Sequence, residues 1–430
     1  MKDIRCATIA NEISVYCYDT NKFKSENISI YFSVPHNQKE SIKRSLLLSV
    51  LKRGTKKYPS QKLINETLDE LYATLVNLKN QKFEQEHLLG ISADIINSSY
   101  TEEGEELFPR VLEIIKEMLF CPLTDENGIF CEEFVKSEKE NYKSVILSQI
   151  NEPRTFAAIR CREEMFAPLG IIDKLDTMCQ RIDDVTPSEL YDCYKDIVEN
   201  AKIKVFYVGK RTPDEIAECV TKAFPERKVK SDLLNNATVK LLENVDIPNT
   251  VIENSEVSQG RLVMGFNCRT TWRDDDYYSM LLCNEILGAS PISKLMVNVR
   301  EKMSLCYECS SVYNSARGVI FVTTGIDCEN YELAKGAIID QLDAMAKGDI
   351  SDKEFDAAKK SIFNVYSALK DSPSAIERFY LGRIINGINV DVEDFVNKIA
   401  ALEKSDVIRA AQKLKLHTVY FLSGEGEHDE

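Results

Sequence analysis

Histidine is scarce in this sequence: His36, His87, His417 and His428 are the only four in 430 residues. No two of them stand at a ligand spacing. A zinc centre built on a short histidine motif is therefore excluded, and no cofactor is expected on this chain. Long apolar runs are missing as well. "LLLSVL" and "VIFV" fall far short of the roughly 20 residues that cross a bilayer. The opening "MKDIRCATIANEISVYC" has no apolar core and no small-residue cleavage site, so no signal peptide, no membrane partner and a cytoplasmic location are expected. Phosphate-cradling and nucleophile-elbow patterns (G-x-x-x-x-G-K-[ST], G-x-G-x-x-G, G-x-S-x-G) do not occur. Positive charge is in deficit: 54 Lys and Arg stand against 69 Asp and Glu, a net charge of −15, which argues against nucleic acid as a partner.

What is present is thiol and repetition. The 13 cysteines are odd in number and mostly lie in apolar contexts such as "MLFCPL" and "YSMLLCNEIL", as reduced buried thiols do. Cys306 and Cys309 have C-x-x-C spacing, but no second pair completes a zinc site. "LCYECSSVYNS" alternates like a strand rather than opening a helix, which speaks against a thioredoxin-like motif. Three aspartates, Asp274 to Asp276, precede an apolar run and read as the negative first turn of a helix.

The two halves share landmarks. "SELYDCYKDIVENAKIKVFYVGK" and "SDVIRAAQKLKLHTVYFLSG" each run helix, strand, glycine, with Ser188 and Ser405 as expected N-caps. "CEEFVKSEKENYKSVILSQINEP" parallels "DKEFDAAKKSIFNVYSALKDSP", and "LLLSVLKRGTKKYPSQKL" parallels "MLLCNEILGASPISKLMV". The offsets are 217 for the serines (405 − 188), 220 for the prolines (373 − 153) and 234 for the glycines (288 − 54). Ordered landmarks at near-constant offset indicate a tandem duplication. "ISIYFSVP", "RLVMGFNC", "FEQEHLLGISADII" and "GVIFVTTGID" read as strands, and "EELFPRVLEIIKEMLF" as an amphipathic helix. The expected fold is α+β: two homologous units, residues 1–230 and 245–430, each a mainly antiparallel sheet covered by helices on one side. The link falls at about 225–250, where the sequence is polar and mixed in charge.

This organisation, with "KRGTKK" and "REKMSLCY", resembles the pitrilysin/insulinase family of metallopeptidases over essentially the whole chain. The resemblance implies an inverted zinc motif, H-x-x-E-H, on the first long helix, followed by a K-G-T-like turn. Its histidines and a later glutamate would bind zinc, and its own glutamate would activate water. Counting back from the Lys52–Lys57 turn, the motif positions hold Ser45, Leu46, Leu47, Leu48 and Ser49, and the later glutamate falls at Gln149. The chain is expected to be inactive alone.

In "REKMSLCY", Arg300, Glu301, Leu305 and Tyr307 fit the family's R-E-x-x-x-L-x-Y pattern, with Ser304 and Cys306 in place of its usual Gly and Ala. The resemblance gives Arg300 a substrate-backbone contact and puts the Tyr307 hydroxyl beside the scissile carbonyl, which suits a planar donor fork and an oxyanion donor. The plainer reading is a surface ion pair and a core aromatic. Some family members divide the task between two chains. The implied partners are then a homologous H-x-x-E-H subunit carrying the zinc and a peptide or unfolded polypeptide. The other reading is a purely structural, possibly homodimeric, scaffold. "LKRGTKKYPS", "LDELYA" and "EEFVKSEKENYKS" extend the likeness to the paired insulinase-like proteins of Firmicutes associated with 5-aminopentanol modification of elongation factor P.

Overall fold

The computed structural model describes residues 1–9, 13–226 and 240–424. His428 and residues 227–239 of the expected link lie outside them. The chain packs as two compact α+β units.

The first unit is built on a six-stranded sheet of β1 (Ile4–Ile9), β2 (Ile13–Asp19), β3 (Ser25–Pro35), β4 (Leu75–Lys82), β5 (Glu86–Ile96) and β6 (Lys202–Gly209), in the order β1-β2-β6-β3-β5-β4. Alternation in β3 explains its place. Ile28, Ile30, Phe32 and Val34 enter the core with Leu89, Ile91, Ala93 and Ile95 of β5. Helices Gln38–Leu51, Phe108–Phe120 and Pro187–Asn200 close that face with Leu46, Leu47, Val111, Ile115, Leu190 and Ile197. At Gly90 a Cβ would run into the Ile30 carbonyl, so only glycine lets the two strands approach there.

The second unit carries five strands, β7 (Asn249–Ser255), β8 (Gly260–Asn267), β9 (Cys306–Asn314), β10 (Val319–Ile326) and β11 (Lys415–Gly424), in the order β7-β11-β8-β10-β9. The sheets are mainly antiparallel, with one parallel pair in each: β2 with β6, and β7 with β11.

The units do not coincide with the two chain segments expected. One comprises Met1–Val145, Leu175–Ala237 and Leu369–Asp391; the other comprises Ile146–Lys174, Thr238–Ala368 and Val392–Glu430. The corresponding helices Pro153–Phe166 and Pro373–Ile385 are exchanged, and each covers the second face of the other half's sheet. Each sheet thus receives, besides its own helices, one helix from the other half of the sequence. In the second unit Met165 sits against Gly265, where a Cβ would collide with its sulfur, and Cys161 and Phe166 join Val263, Phe321 and Tyr420. In the first unit the fully buried Glu377 accepts from Tyr31 Oη at 2.7 Å and pairs with Lys79 at 3.1 Å.

Side-chain bonds repeat with the duplication. Lys139 Nζ donates to the carbonyls of Asp183 and Val185, and Lys359 Nζ to those of Ala400 and Leu402. The lysines differ by 220 (359 − 139) and the carbonyls by 217 (400 − 183, 402 − 185), matching two of the sequence offsets. The expected caps are each two residues late. Thr186 caps helix Pro187–Asn200, exchanging hydrogen bonds with Glu189, because Pro187 already has a helical φ. Glu403 precedes helix Lys404–Lys413, its N–H donating to Asp406 at 2.7 Å. Asp276 stands at the N-terminus of helix Tyr277–Asn284, as the acidic run suggested.

His87, on β5, is 0% exposed, and its Nε2 lies 2.6 Å from Asn80 Oδ1. Burial first, then the nearby charges of Lys82, Arg44 and His36, lowers its pKa from 6.5 to about 3. The native state holds it neutral while the unfolded chain protonates it below pH 6.5. Stability is therefore lost as pH falls from 6.5 towards 3, by about 1.4 kcal/mol per pH unit. His87→Gln keeps a donor for Asn80 and should flatten that acid limb in denaturant titrations. An unchanged slope would assign the acid sensitivity to other groups.

Candidate functional site

The degenerate motif lies on helix Gln38–Leu51 in the first unit. Ser45 and Ser49 are one turn apart, as paired ligands would be, but their surroundings are structural. Ser45 Oγ donates to the Ser41 carbonyl at 2.8 Å and accepts from Asn80 Nδ2 at 2.8 Å, and Asn80 in turn engages His87. This relay runs His87, Asn80, Ser45, Ser41. It fixes the first motif position by hydrogen bonds that a metal ligand could not keep. Leu48, at the general-base position, belongs to the apolar core. Ser49 borders a depression with Lys52, Gln61 and Asn141, where Arg53 is already paired with Glu138. Gln149 follows the end of helix Glu132–Ser148 and groups with the second unit. Two hydroxyls, an isobutyl group and an amide are not a zinc donor set, so the implied metal does not fit these residues. Among the described residues no group of three or more His, Cys, Asp or Glu side chains could hold a metal ion. Pairing of β3 with β5 does bring two of the sequence-distant histidines close, with the His36 and His87 rings 6.2 Å apart.

Arg300 and Tyr307 lie in the second unit, on either side of a helix-to-strand turn. Residues Leu295–Lys302 form a widely coiled helix: Met303 N–H reaches Asn298 O and Leu305 N–H reaches Val299 O, at 3.1 and 3.2 Å. The chain reverses at Ser304, whose φ of 54° is left-handed. A residue with a Cβ pays roughly 1–2 kcal/mol for that conformation, which is why glycine suits the position. Arg300 Nε donates to the Tyr307 carbonyl at 2.8 Å, tying the helix end to β9. Tyr307 is not a core aromatic: it is 74% exposed, on a strand at the edge of its sheet. Arg300 is exposed too, and its bond is to a backbone carbonyl rather than to an acid.

A charge cluster beside Tyr307 escaped the sequence reading. Glu308 is bonded to Arg154 at 2.7 Å and to Arg261 at 3.2 Å. Gly325 was its signal: a Cβ there would strike the Arg261 guanidinium. A glycine inside a strand marks such a close approach.

Restoring the motif tests this account. Ser45→His, Leu48→Glu and Ser49→His together should bind no stoichiometric zinc and should destabilise the fold. A carboxylate in the core at position 48 alone costs more than about 3 kcal/mol, and Ser45→His breaks the relay. Metal analysis showing one tightly held zinc per chain would overturn it.

Residues 184–362 match the family model described as "Peptidase M16 inactive domain". The chain is 28% identical to the probable inactive metalloprotease YmfF of Bacillus subtilis (strain 168) over 413 residues, 96% of each chain. Its fold is similar to that of a conserved protein from Enterococcus faecalis V583, with a TM-score of 0.88, 24% identity, and 99% and 100% of the two chains covered. It is also similar to the peptidase M16 inactive domain from Pseudomonas fluorescens, with a TM-score of 0.77, 16% identity and complete coverage of both chains. At those identities the two structures speak for the fold alone. Together with the absence of ligand side chains at the motif positions, these likenesses make the chain similar to inactive peptidase-like proteins.

Proposed function

We propose that the chain is the non-catalytic subunit of a two-chain zinc peptidase, lending Arg300 and Tyr307 to a zinc site held by a homologous H-x-x-E-H subunit. The observation that carries this reading is Tyr307, a large exposed phenol on an edge strand, braced by Arg300 in a chain whose own motif positions hold no ligand. An aromatic in that position meets solvent unless something binds over it. The zinc on the partner would supply the Lewis acid. On this chain, the Tyr307 hydroxyl would donate to the oxygen on which charge develops, and the Nη groups of Arg300 would hold a peptide carbonyl. The substrate class is a peptide or unfolded polypeptide.

The likeness to paired proteins extends the proposal to elongation factor P. Loss of this chain should then leave the factor without its 5-aminopentanol group, read by intact mass, and unchanged modification would end that extension.

The second reading is a scaffold without a catalytic duty, and one observation favours it: the Arg300 bond to the Tyr307 carbonyl already does a structural job. Steady-state kinetics on the reconstituted pair separates the two. Tyr307→Phe should lower the pair's kcat by roughly 10²–10³ with little change in KM. Arg300→Ala should raise KM. Wild-type kinetics from both variants would favour the scaffold.

A further inference from the structure

The β9–β10 ladder is interrupted where Tyr307 enters. Asn314 opposes Val319, and the register runs evenly to Cys309 opposite Thr324 and Glu308 opposite Gly325, but Cys306 then faces Ile326. One extra residue in β9 makes this a β-bulge. In an even strand, residues three apart point to opposite faces. Here the bulge cancels that alternation. Tyr307 is exposed, whereas Cys306 and Cys309 are both turned inward, at 9% and 1% exposed.

Thr324 stands opposite Cys309 in the ladder, and the two thiols act on each other's titration. Cys309 lowers the Cys306 pKa against the effect of burial, with help from Thr324 and the Arg300 charge. Cys306, then burial, raises Cys309. Burial raises other thiols, such as Cys17, Cys161, Cys268 and Cys283. Cys306 also lines a surface depression with Arg300, Ser304, Tyr307 and Asp327, so a small reagent can reach it.

We propose that Cys306 and Cys309 form a redox-active dithiol that closes into a disulfide across the bulge, with a small-molecule disulfide as oxidant. The Cys306 thiolate attacks one sulfur of R–S–S–R. A mixed disulfide forms, and the departing RS⁻ takes up a proton. Cys309 then loses its proton and attacks the Cys306 sulfur, expelling the second RS⁻. Two protein thiols are oxidised and one external disulfide is reduced to two thiols; excess thiol reverses both steps.

Two ladder steps separate the cysteines, about 6.6 Å at the usual strand rise. Disulfides accept Cα separations of roughly 4.4–6.8 Å, so closure draws the bulge tighter and shifts Tyr307, the residue within it. This proposal concerns the chain alone and does not rest on a catalytic partner.

The test uses the full-length chain, reduced and then titrated with hydroxyethyl disulfide at neutral pH. Remaining thiols are alkylated and peptides are mapped by mass spectrometry. Cys306 and Cys309 should cross-link to each other before any other cysteine reacts. Cys309→Ser should trap a mercaptoethanol adduct on Cys306, and Cys306→Ser should leave Cys309 unmodified. Phenylarsine oxide, which bridges adjacent thiols, should bind one per chain in the wild type and lose that binding in both variants. Oxidation starting at the exposed Cys6, a wild-type reaction that stops at the mixed disulfide, or arsenical binding that survives both serine variants would overturn the proposal.

Discussion

Each sheet here has two faces that must be kept from water, and the helices that follow its own strands cover only one of them. The second face is covered by a helix encoded about half a chain away. Gly265 is bare because Met165 fills the space a side chain would take. Tyr31 finds its partner in the fully buried Glu377. A phenol, a carboxylate and the Lys79 ammonium satisfy one another where each alone would be costly to bury. The duplicated architecture thus depends on exchange: neither sheet is complete with its own segment.

The same demand for burial and satisfied polar groups explains why positions 45 and 48 offer no metal site. A ligand helix must leave its metal-binding atoms unsatisfied by protein, in open space. Helix Gln38–Leu51 does neither at positions 45 and 48. Ser45 spends its hydroxyl on Ser41 and Asn80, and Leu48 fills core. These positions are packed structure rather than a vacant metal centre. The Arg300–Tyr307 turn contrasts with it, since there the chain keeps a left-handed serine and an exposed aromatic, neither of which packing requires.

Much of this was legible in the sequence, because the relevant signals are local. The β3 alternation, the amphipathic Phe108–Phe120 helix and the landmark offsets all follow from spacing, and the lack of metal-ligand side chains at positions 45, 48 and 49 from residue identity. Non-local facts were not legible. Periodicity gives helix Pro153–Phe166 an apolar face but not the sheet it meets. Even alternation would put Cys306 and Cys309 on opposite faces, and the bulge that turns both inward is a property of the β9–β10 pair. The histidines His36 and His87 are 51 residues apart (87 − 36) and become neighbours only through register. Ser188 and Ser405 have good capping chemistry, yet each lies within the first turn of its helix because a better-placed residue starts it two positions earlier.

The exchanged helices also constrain how the chain is made. Tyr31 and Glu377 are 346 residues apart in sequence. Synthesis proceeds from the N-terminus at about 5–20 residues per second, so the first sheet waits tens of seconds on the ribosome with one face bare. The second sheet has no such wait, since helix Pro153–Phe166 emerges before any of its strands. The second face of the first sheet is therefore completed only when helix Pro373–Ile385 docks onto strands made long before. A nascent chain with an open sheet face is a natural client for chaperones, and a ribosome stalled anywhere before residue 373 would leave the first unit unfinished, however perfect its own sequence.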